Sequence, residues 1–189
     1  MTPITYPIET NRLLIRPNLP GDLDAVHAFQ SRDDVTRYVP WYSRSRDEVE
    51  QVLEARKLMT DLRQDDDALV LAVVERASSA LIGEIYLFLK SVEHRQGEIG
   101  YLIHPDYHGR GYATEAARVA LRLGFEHYGL HRIVARCDAR NAPSYRVMEK
   151  LGMRREAHLR ENELFKGEWS DELVYAMLDR EWRAMNAAG

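Results

Sequence analysis

The sequence predicts a mixed, mostly antiparallel α/β sheet flanked by helices, and three observations carry that expectation. Strand-like runs follow one another at 68–75, 81–89 and 97–104, the first two joined by the short turn Ala77-Ser78-Ser79-Ala80. A strand–helix–strand–helix stretch then extends to about residue 151, and two long strand runs at 153–165 and 168–178 follow it. Strands in succession, then alternating elements, give a mixed sheet with helices on its faces.

The remaining elements have local signals. Residues 12–16 form a short strand, and Pro20-Gly21-Asp22 opens a helix to about Ser31, with Leu23, Val26, His27, Phe29 and Gln30 giving a loose helical face. Ser45 with Glu48 three residues on is a capping box for a helix to about Arg63, and 64–67 is a polar break. A helix follows Gly111, and 131–138 is a strand. Asn141 suits an N-cap, Pro143 the first turn and Gly152 the C′ position of a helix over 142–151.

At 189 residues, with 45% hydrophobic and 30% charged residues, the chain suits one soluble domain spanning 1–189. The formal net charge of −4 gives no support for nucleic-acid binding. No apolar run reaches 18 residues, so no membrane association is expected. The opening MTPITYPIETNR has neither the basic start nor the apolar middle of an export signal, and a cytoplasmic location is expected. Cys137 is the only cysteine and reads as a packed strand residue, badly placed for a nucleophile.

The most informative stretch is His104-Pro-Asp-Tyr-His108-Gly109-Arg110-Gly111-Tyr112-Ala113-Thr114. It lies between a strand and a helix and has no acidic side chain from His108 onward. Successive N–H groups in a glycine-permitted turn at a helix start form an anion site suited to diphosphate. The Walker pattern fails because Tyr112 follows Gly111, and the dinucleotide fingerprint fails at Thr114. An ordinary left-handed turn is the bland alternative. His104 and His108 would present two imidazoles together only on a helix, which Pro105 and Gly109 oppose, so no metal is expected.

This loop and the downstream Asn141-Ala-Pro-Ser144 … Glu149-Lys150-Leu151-Gly152-Met153 together resemble the GNAT N-acetyltransferase superfamily. His108-x-x-Gly111-x-Ala113 is similar to its pyrophosphate motif, with His108 for the usual Gln or Arg. The second segment, the opening Glu9-Thr-Asn-Arg12-Leu-Leu-Ile-Arg16 and the late Gly167-Glu-Trp169-Ser-Asp171 resemble the branch of RimJ/RimL-type ribosomal-protein N-terminal acetyltransferases. Met148 stands where many superfamily members carry a Tyr that protonates the departing thiolate, and in this branch Ser144 is the natural substitute.

The resemblance implies a GNAT fold whose strands splay at the acetyl-CoA site, with direct acetyl transfer to a primary amine. Leu102, Ile103 and His104 would lend backbone to the pantetheine arm. His108, Gly109, Arg110, Gly111, Tyr112, Ala113 and Thr114 would hold the diphosphate, with Asn141 beside them. Strand alternation puts Glu98, Gly100 and Leu102 on one face, and Glu98 is the preferred base, with Gly100 leaving room for the acyl group. Glu84 and Asp171 are second choices for base or amine anchor. Tyr38 and Trp41 would wall the acceptor site, or equally staple helices to the sheet. Glu163 and Glu168 read as solvated hairpin charge. The preferred acceptor is a protein or peptide α-amine; the alternatives are a small-molecule amine and a non-catalytic CoA-binding module. A homodimer through the long C-terminal strands is the expected assembly.

Overall fold

The computed structural model describes residues 3–187. Eight strands form one sheet: β1 (Ile8–Glu9), β2 (Leu13–Pro17), β3 (Ala68–Glu75), β4 (Leu81–Ser91), β5 (Gln96–Ile103), β6 (Arg132–Asp138), β7 (Arg154–Phe165) and β8 (Glu168–Leu178). Their order is β1-β2-β3-β4-β5-β6-β8-β7, and β5–β6 is the one parallel pair; every other neighbouring pair is antiparallel. The mixed, mostly antiparallel expectation holds, including the hairpin of the two C-terminal strands.

Helices cover both faces. On one lie α1 (Leu23–Gln30), the short α2 (Asp33–Thr36) and α3 (Arg46–Arg56). Val26, Phe29, Val49 and Leu53 form their buried layer, with Leu102 of β5 packed against it. On the other lie α4 (Tyr112–Arg122) with a π-helical turn after it, α5 (Ala142–Lys150) and α6 (Asp179–Ala187). Alternate strand residues such as Leu71, Ile85, Leu87, Ile99, Ile133 and Tyr175 enter this larger core.

Local chemistry sets most of the ends. Ser45 Oγ accepts from the Glu48 N–H, and the Glu48 carboxylate accepts from the Ser45 N–H, closing the expected capping box. Asn141 Oδ1 accepts from the Ser144 N–H at 3.3 Å, and Gly152 takes the left-handed turn (φ 83°) after α5.

One helix end and one additional helix depart from expectation. The helix from Ser45 stops at Arg56 rather than near Arg63. Asp61 captures the Leu62 N–H, Asp67 captures those of Arg63 and Gln64, and Leu62 turns into the larger core. Acidic side chains competing for backbone donors outbid further helix there. α6 was not expected; it is anchored by Trp182, which stacks on Phe125 at 5.8 Å and donates to Glu126 Oε1 at 2.8 Å.

Gly83 marks the tightest strand contact beside the site. A Cβ there would stand 2.2 Å from the Leu102 carbonyl oxygen and 2.7 Å from Ile103 Cδ1. G83A therefore forces β4 and β5 apart, with an expected cost of about 2 kcal/mol. For a chain of this size that lowers the thermal midpoint by roughly 4–8 °C. A shift under about 1 °C in a calorimetric melt contradicts this packing argument.

Candidate active site

The parallel pair β5–β6 is registered only over Gln96↔Arg132, Gly97↔Ile133 and Glu98↔Val134. Beyond Glu98 the strands separate, although β5 runs on to Ile103 and β6 to Asp138. The splay expected near the glycine loop is therefore present, and it begins at Glu98. A cleft of about 930 Å³ occupies the opening, lined by both strands, the loop at 107–114, the start of α5 and the segment 34–41.

The loop closes one end. Gly109 (φ 74°) and Gly111 (φ 82°) adopt conformations that a side chain would strain, and Gly111 is the residue before α4. His108 Nε2 donates to the Ile103 carbonyl at 2.7 Å, tying the loop back to the end of β5. Free N–H groups at the start of an eleven-residue helix, behind two left-handed glycines, suit a diphosphate. That feature and the unpaired edges beyond Glu98 fit the acetyl-CoA of the sequence reading.

Because the cleft passes through the sheet, its two sides carry different groups. On the α4/α5 side Tyr101 of β5 reaches α5: its OH donates to the Ser144 carbonyl at 2.7 Å and lies 3.2 Å from Ser144 Oγ. Cys137 of β6 and the buried Met148 line the same side. Burial pushes the Cys137 thiol up to about 11, against an opposing hydrogen bond from Ser144, so it stays protonated at neutral pH. Cys137, expected as a packed strand residue, lines the cleft, and its protonation keeps it a poor nucleophile. Burial also raises the Tyr101 phenol, which keeps it a hydrogen-bond donor.

On the α1/α3 side lie Glu98, Tyr86, Phe88, Leu102, Tyr38 and Trp41. Burial raises the Glu98 carboxyl above its ordinary range, while Arg136, 3.6 Å away, pulls it back. Arg136 also pairs with Glu172 at 3.1 Å. The phenol ring of Tyr86 crosses Gly100, where an added Cβ would touch it at 3.5 Å. A second cavity of about 350 Å³, sharing Tyr38 and Arg140 with the first, continues between 33–42 and the tip of the β7–β8 hairpin.

Several expected site residues stand elsewhere. Glu84 is not open to an acceptor: its carboxylate is fully buried, held by Arg56, by Gln30 Nε2 at 2.9 Å and by the Tyr86 OH at 2.7 Å. Asp171 does not line the cleft; it accepts from His158 Nε2 at 2.7 Å and from the Glu161 N–H at 2.9 Å. His104 is turned to the Asp106 N–H, and Arg110 stacks on Tyr107 at 5.5 Å; neither lines the cleft. Tyr112 lines it, with its OH on Glu75 and Arg12 over its ring at 4.6 Å. Gly109, Gly111, Ala113, Thr114, Leu102, Ile103, Asn141, Ser144, Glu98, Tyr38 and Trp41 are all brought to the cleft. Tyr101, Arg136 and Lys166 were missed by sequence reasoning. Lys166 donates to the Thr36 and Trp41 carbonyls, each at 2.7 Å, and so fixes the 36–41 wall.

Comparison with known proteins agrees with this geometry. The model of the acetyltransferase (GNAT) domain matches residues 12–154. The chain belongs to the GNAT acetyltransferase family. It is 39% identical over 175 residues to YnaD, an uncharacterized N-acetyltransferase of Bacillus subtilis, covering 93% of this chain and 98% of that one. A solved GNAT-family acetyltransferase from Bacillus anthracis superposes with a TM-score of 0.82 at 37% identity, covering 92% and 99% of the two chains. The spermidine N(1)-acetyltransferase of Vibrio cholerae is 26% identical over 161 residues, covering 85% and 90%. The GNAT enzyme is therefore an acetyl-CoA-dependent N-acetyltransferase.

Breaking the buried Arg56–Glu84 pair leaves a guanidinium without its counter-charge. E84Q is expected to lose about 3 kcal/mol of stability in urea unfolding. A loss below about 1 kcal/mol would mean that Gln30 and Tyr86 alone can satisfy Arg56.

Proposed function

We propose that this enzyme moves the acetyl group of acetyl-CoA in one step onto a primary amine, and that the preferred acceptor is an α-amine of a protein or peptide. The observation that carries the reading is the cleft through the sheet, with the glycine loop and Ser144 on one side and Glu98 on the other. The donor thioester enters from the α4/α5 side, and the amine enters between β5 and the 34–41 wall.

Glu98 accepts the proton leaving the amine nitrogen, directly or through water, as the N–C bond forms and the C–S bond breaks. The departing sulfur takes a proton from Ser144 Oγ or from water, with Tyr101 holding Ser144 in place. A backbone N–H of β5 beyond Glu98 faces the developing oxyanion; such a donor is worth about 3 kcal/mol at the transition state. Leu102 and Ile103 supply strand edge to the pantetheine arm, and Gly109, Gly111, Tyr112, Ala113 and Thr114 supply the diphosphate turn, with Asn141 nearby.

The base supports the α-amine assignment. Glu98 shares its charge with Arg136, and an α-amine of pKa ~7.7–8.0 is already neutral in roughly one in six to one in eleven molecules at pH 7. A lysine-like amine of pKa ~10.4 is neutral in only about one in 2,500 and demands more of a base. Resemblance to the RimJ/RimL-type branch supports the same choice. A small-molecule amine is the second reading, supported by the relative that acts on spermidine. A cytoplasmic homodimer belongs to the proposal, supported by the single cysteine and by β7 at the free edge of the sheet.

Acetyl-CoA-dependent thiol release across N-terminal peptides, aminoglycosides, polyamines and free amino acids tests the assignment. Release with peptides alone supports it, release with polyamines alone transfers it to the second reading, and no release with any amine sinks it. The base has its own signature. Because the Glu98 pKa is raised, the carboxylate is protonated in acid, and the wild-type rate rises as pH increases through its value. In E98Q that acidic limb disappears, leaving the amine's own titration near pH ~8, and kcat/KM falls about 10²-fold. An unchanged profile removes Glu98 from the mechanism.

A further inference from the structure

The α1/α3 side of the cleft offers mainly carbon to whatever binds there. β4 and β5 are registered Phe88↔Glu98, Tyr86↔Gly100 and Glu84↔Leu102, so these side chains stand together on one face of the sheet. Phe88 is therefore the direct cross-strand neighbour of Glu98, and both line the cleft. The Tyr86 and Phe88 rings are parallel within 3°, their centroids 6.1 Å apart, and both are half-buried. Val39, Pro40 and Leu102 line the cleft with them.

The one polar atom of the two rings is engaged by the interior. The Tyr86 OH donates to Glu84 Oε2 at 2.7 Å and accepts from Arg56 Nη2 at 3.3 Å, and Glu84 is fully buried. The ring itself is left to the cleft, and Gly100 opposite it leaves a hollow: a Cβ there would meet nothing nearer than Tyr86 Cδ2 at 3.5 Å. Charge is equally committed. Among the described residues Asp34 and Glu98 are the only carboxylates lining the cleft; Asp34 pairs with Arg32 at 2.8 Å, and Glu98 has Arg136 at 3.6 Å. A polyamine would set its further ammonium groups beside this wall with no carboxylate free to pair them.

We propose that the acceptor carries a bulky apolar group, aromatic or branched aliphatic, next to its amine, seated against Tyr86 and Phe88 in the hollow left by Gly100. The inference rests on the transfer reading above and narrows its substrate class. The amine then lies at Glu98, the cross-strand partner of Phe88, and the apolar group displaces water from both rings, which supplies the binding. That group is either the first side chain of a peptide or the body of a free amine.

The test uses matched acceptors that differ in that group alone. One series is C-terminally amidated tripeptides opening with Phe, Leu, Ala or Ser. The other is phenethylamine against ethylamine, and spermidine serves as the polycationic control. Thiol release is measured with the full-length enzyme, and binding of each acceptor in the presence of CoA is measured by calorimetric titration. The bulky apolar members are expected to exceed the small ones by about thirtyfold in kcat/KM, mostly through KM. The series that shows the difference identifies the source. F88A is expected to lower the ratio to about threefold, and F88L to keep most of it. G100A covers the case in which F88A does not fold, since its Cβ makes only ordinary contact with Tyr86. It fills the hollow and is expected to slow bulky acceptors more than small ones. A ratio near one, a preference for spermidine, or a ratio unmoved in both F88A and G100A overturns the proposal while the transferase reading stands. If no amine is acetylated, the titration decides. Bulky acceptors bound about thirtyfold above small ones, with the difference reduced in F88A or G100A, keep the apolar site while the transfer reading falls; equal or absent binding overturns it.

Discussion

Everything at the site depends on β5 and β6 parting company after Glu98. A strand in the middle of a sheet normally has both edges paired, because buried N–H and C=O groups left without partners are costly. Here two central strands surrender pairing over the rest of their length, and the sheet survives because each keeps its other neighbour: β5 is registered with β4 to Ile103, and β6 with β8 to Asp138. The parting gives access to the sheet's interior from both faces at one point. The residue at the fork, Glu98, is consequently half-buried without being sealed in.

Beneath the α1/α3 side of the cleft lies a polar cluster that an ordinary α/β core would lack. Glu84 is wholly buried, with both carboxylate oxygens taken, and Arg56 and Gln30 are buried with it. Replacing such a pair with apolar groups is often neutral for stability, so its presence is not explained by stability alone. Its fixed hydrogen bonds orient Tyr86, which in turn lies across Gly100 and shapes the floor of the cleft. Arg56 and Glu84 thus bear on the site through the ring they position rather than by touching what binds there.

What the sequence revealed follows from how far apart the interacting residues are. The glycine turn, the Ser45–Glu48 box and the Asn141 cap each involve partners within four positions, and all were legible. Glu98 and Gly100 were also placed on a common face, since alternation along one strand is local. Alternation says which face a side chain occupies but not how deeply that face is covered, which is why Glu84 was taken for an accessible carboxylate while α1 and α3 seal it. Tyr101 meets Ser144 across 43 positions, and Arg136 meets Glu98 only through the β5–β6 register. No short-range signal announces either contact. The early end of α3 needed Asp61 and Asp67 weighed as rivals for backbone donors, and the polar break was placed a few residues too late.

Lys166 connects distant parts of the chain. From the turn of the C-terminal hairpin it grips two carbonyls, 130 and 125 positions earlier, on the 36–41 wall of the cleft. The opposite half of the cleft, from the glycine turn through α5, takes no part in that clasp. A change at the hairpin tip is accordingly transmitted to the wall that carries Tyr38 and Trp41, and not to the glycine turn. The cleft thus works as a vice with one fixed jaw, built locally, and one jaw clamped from far along the chain.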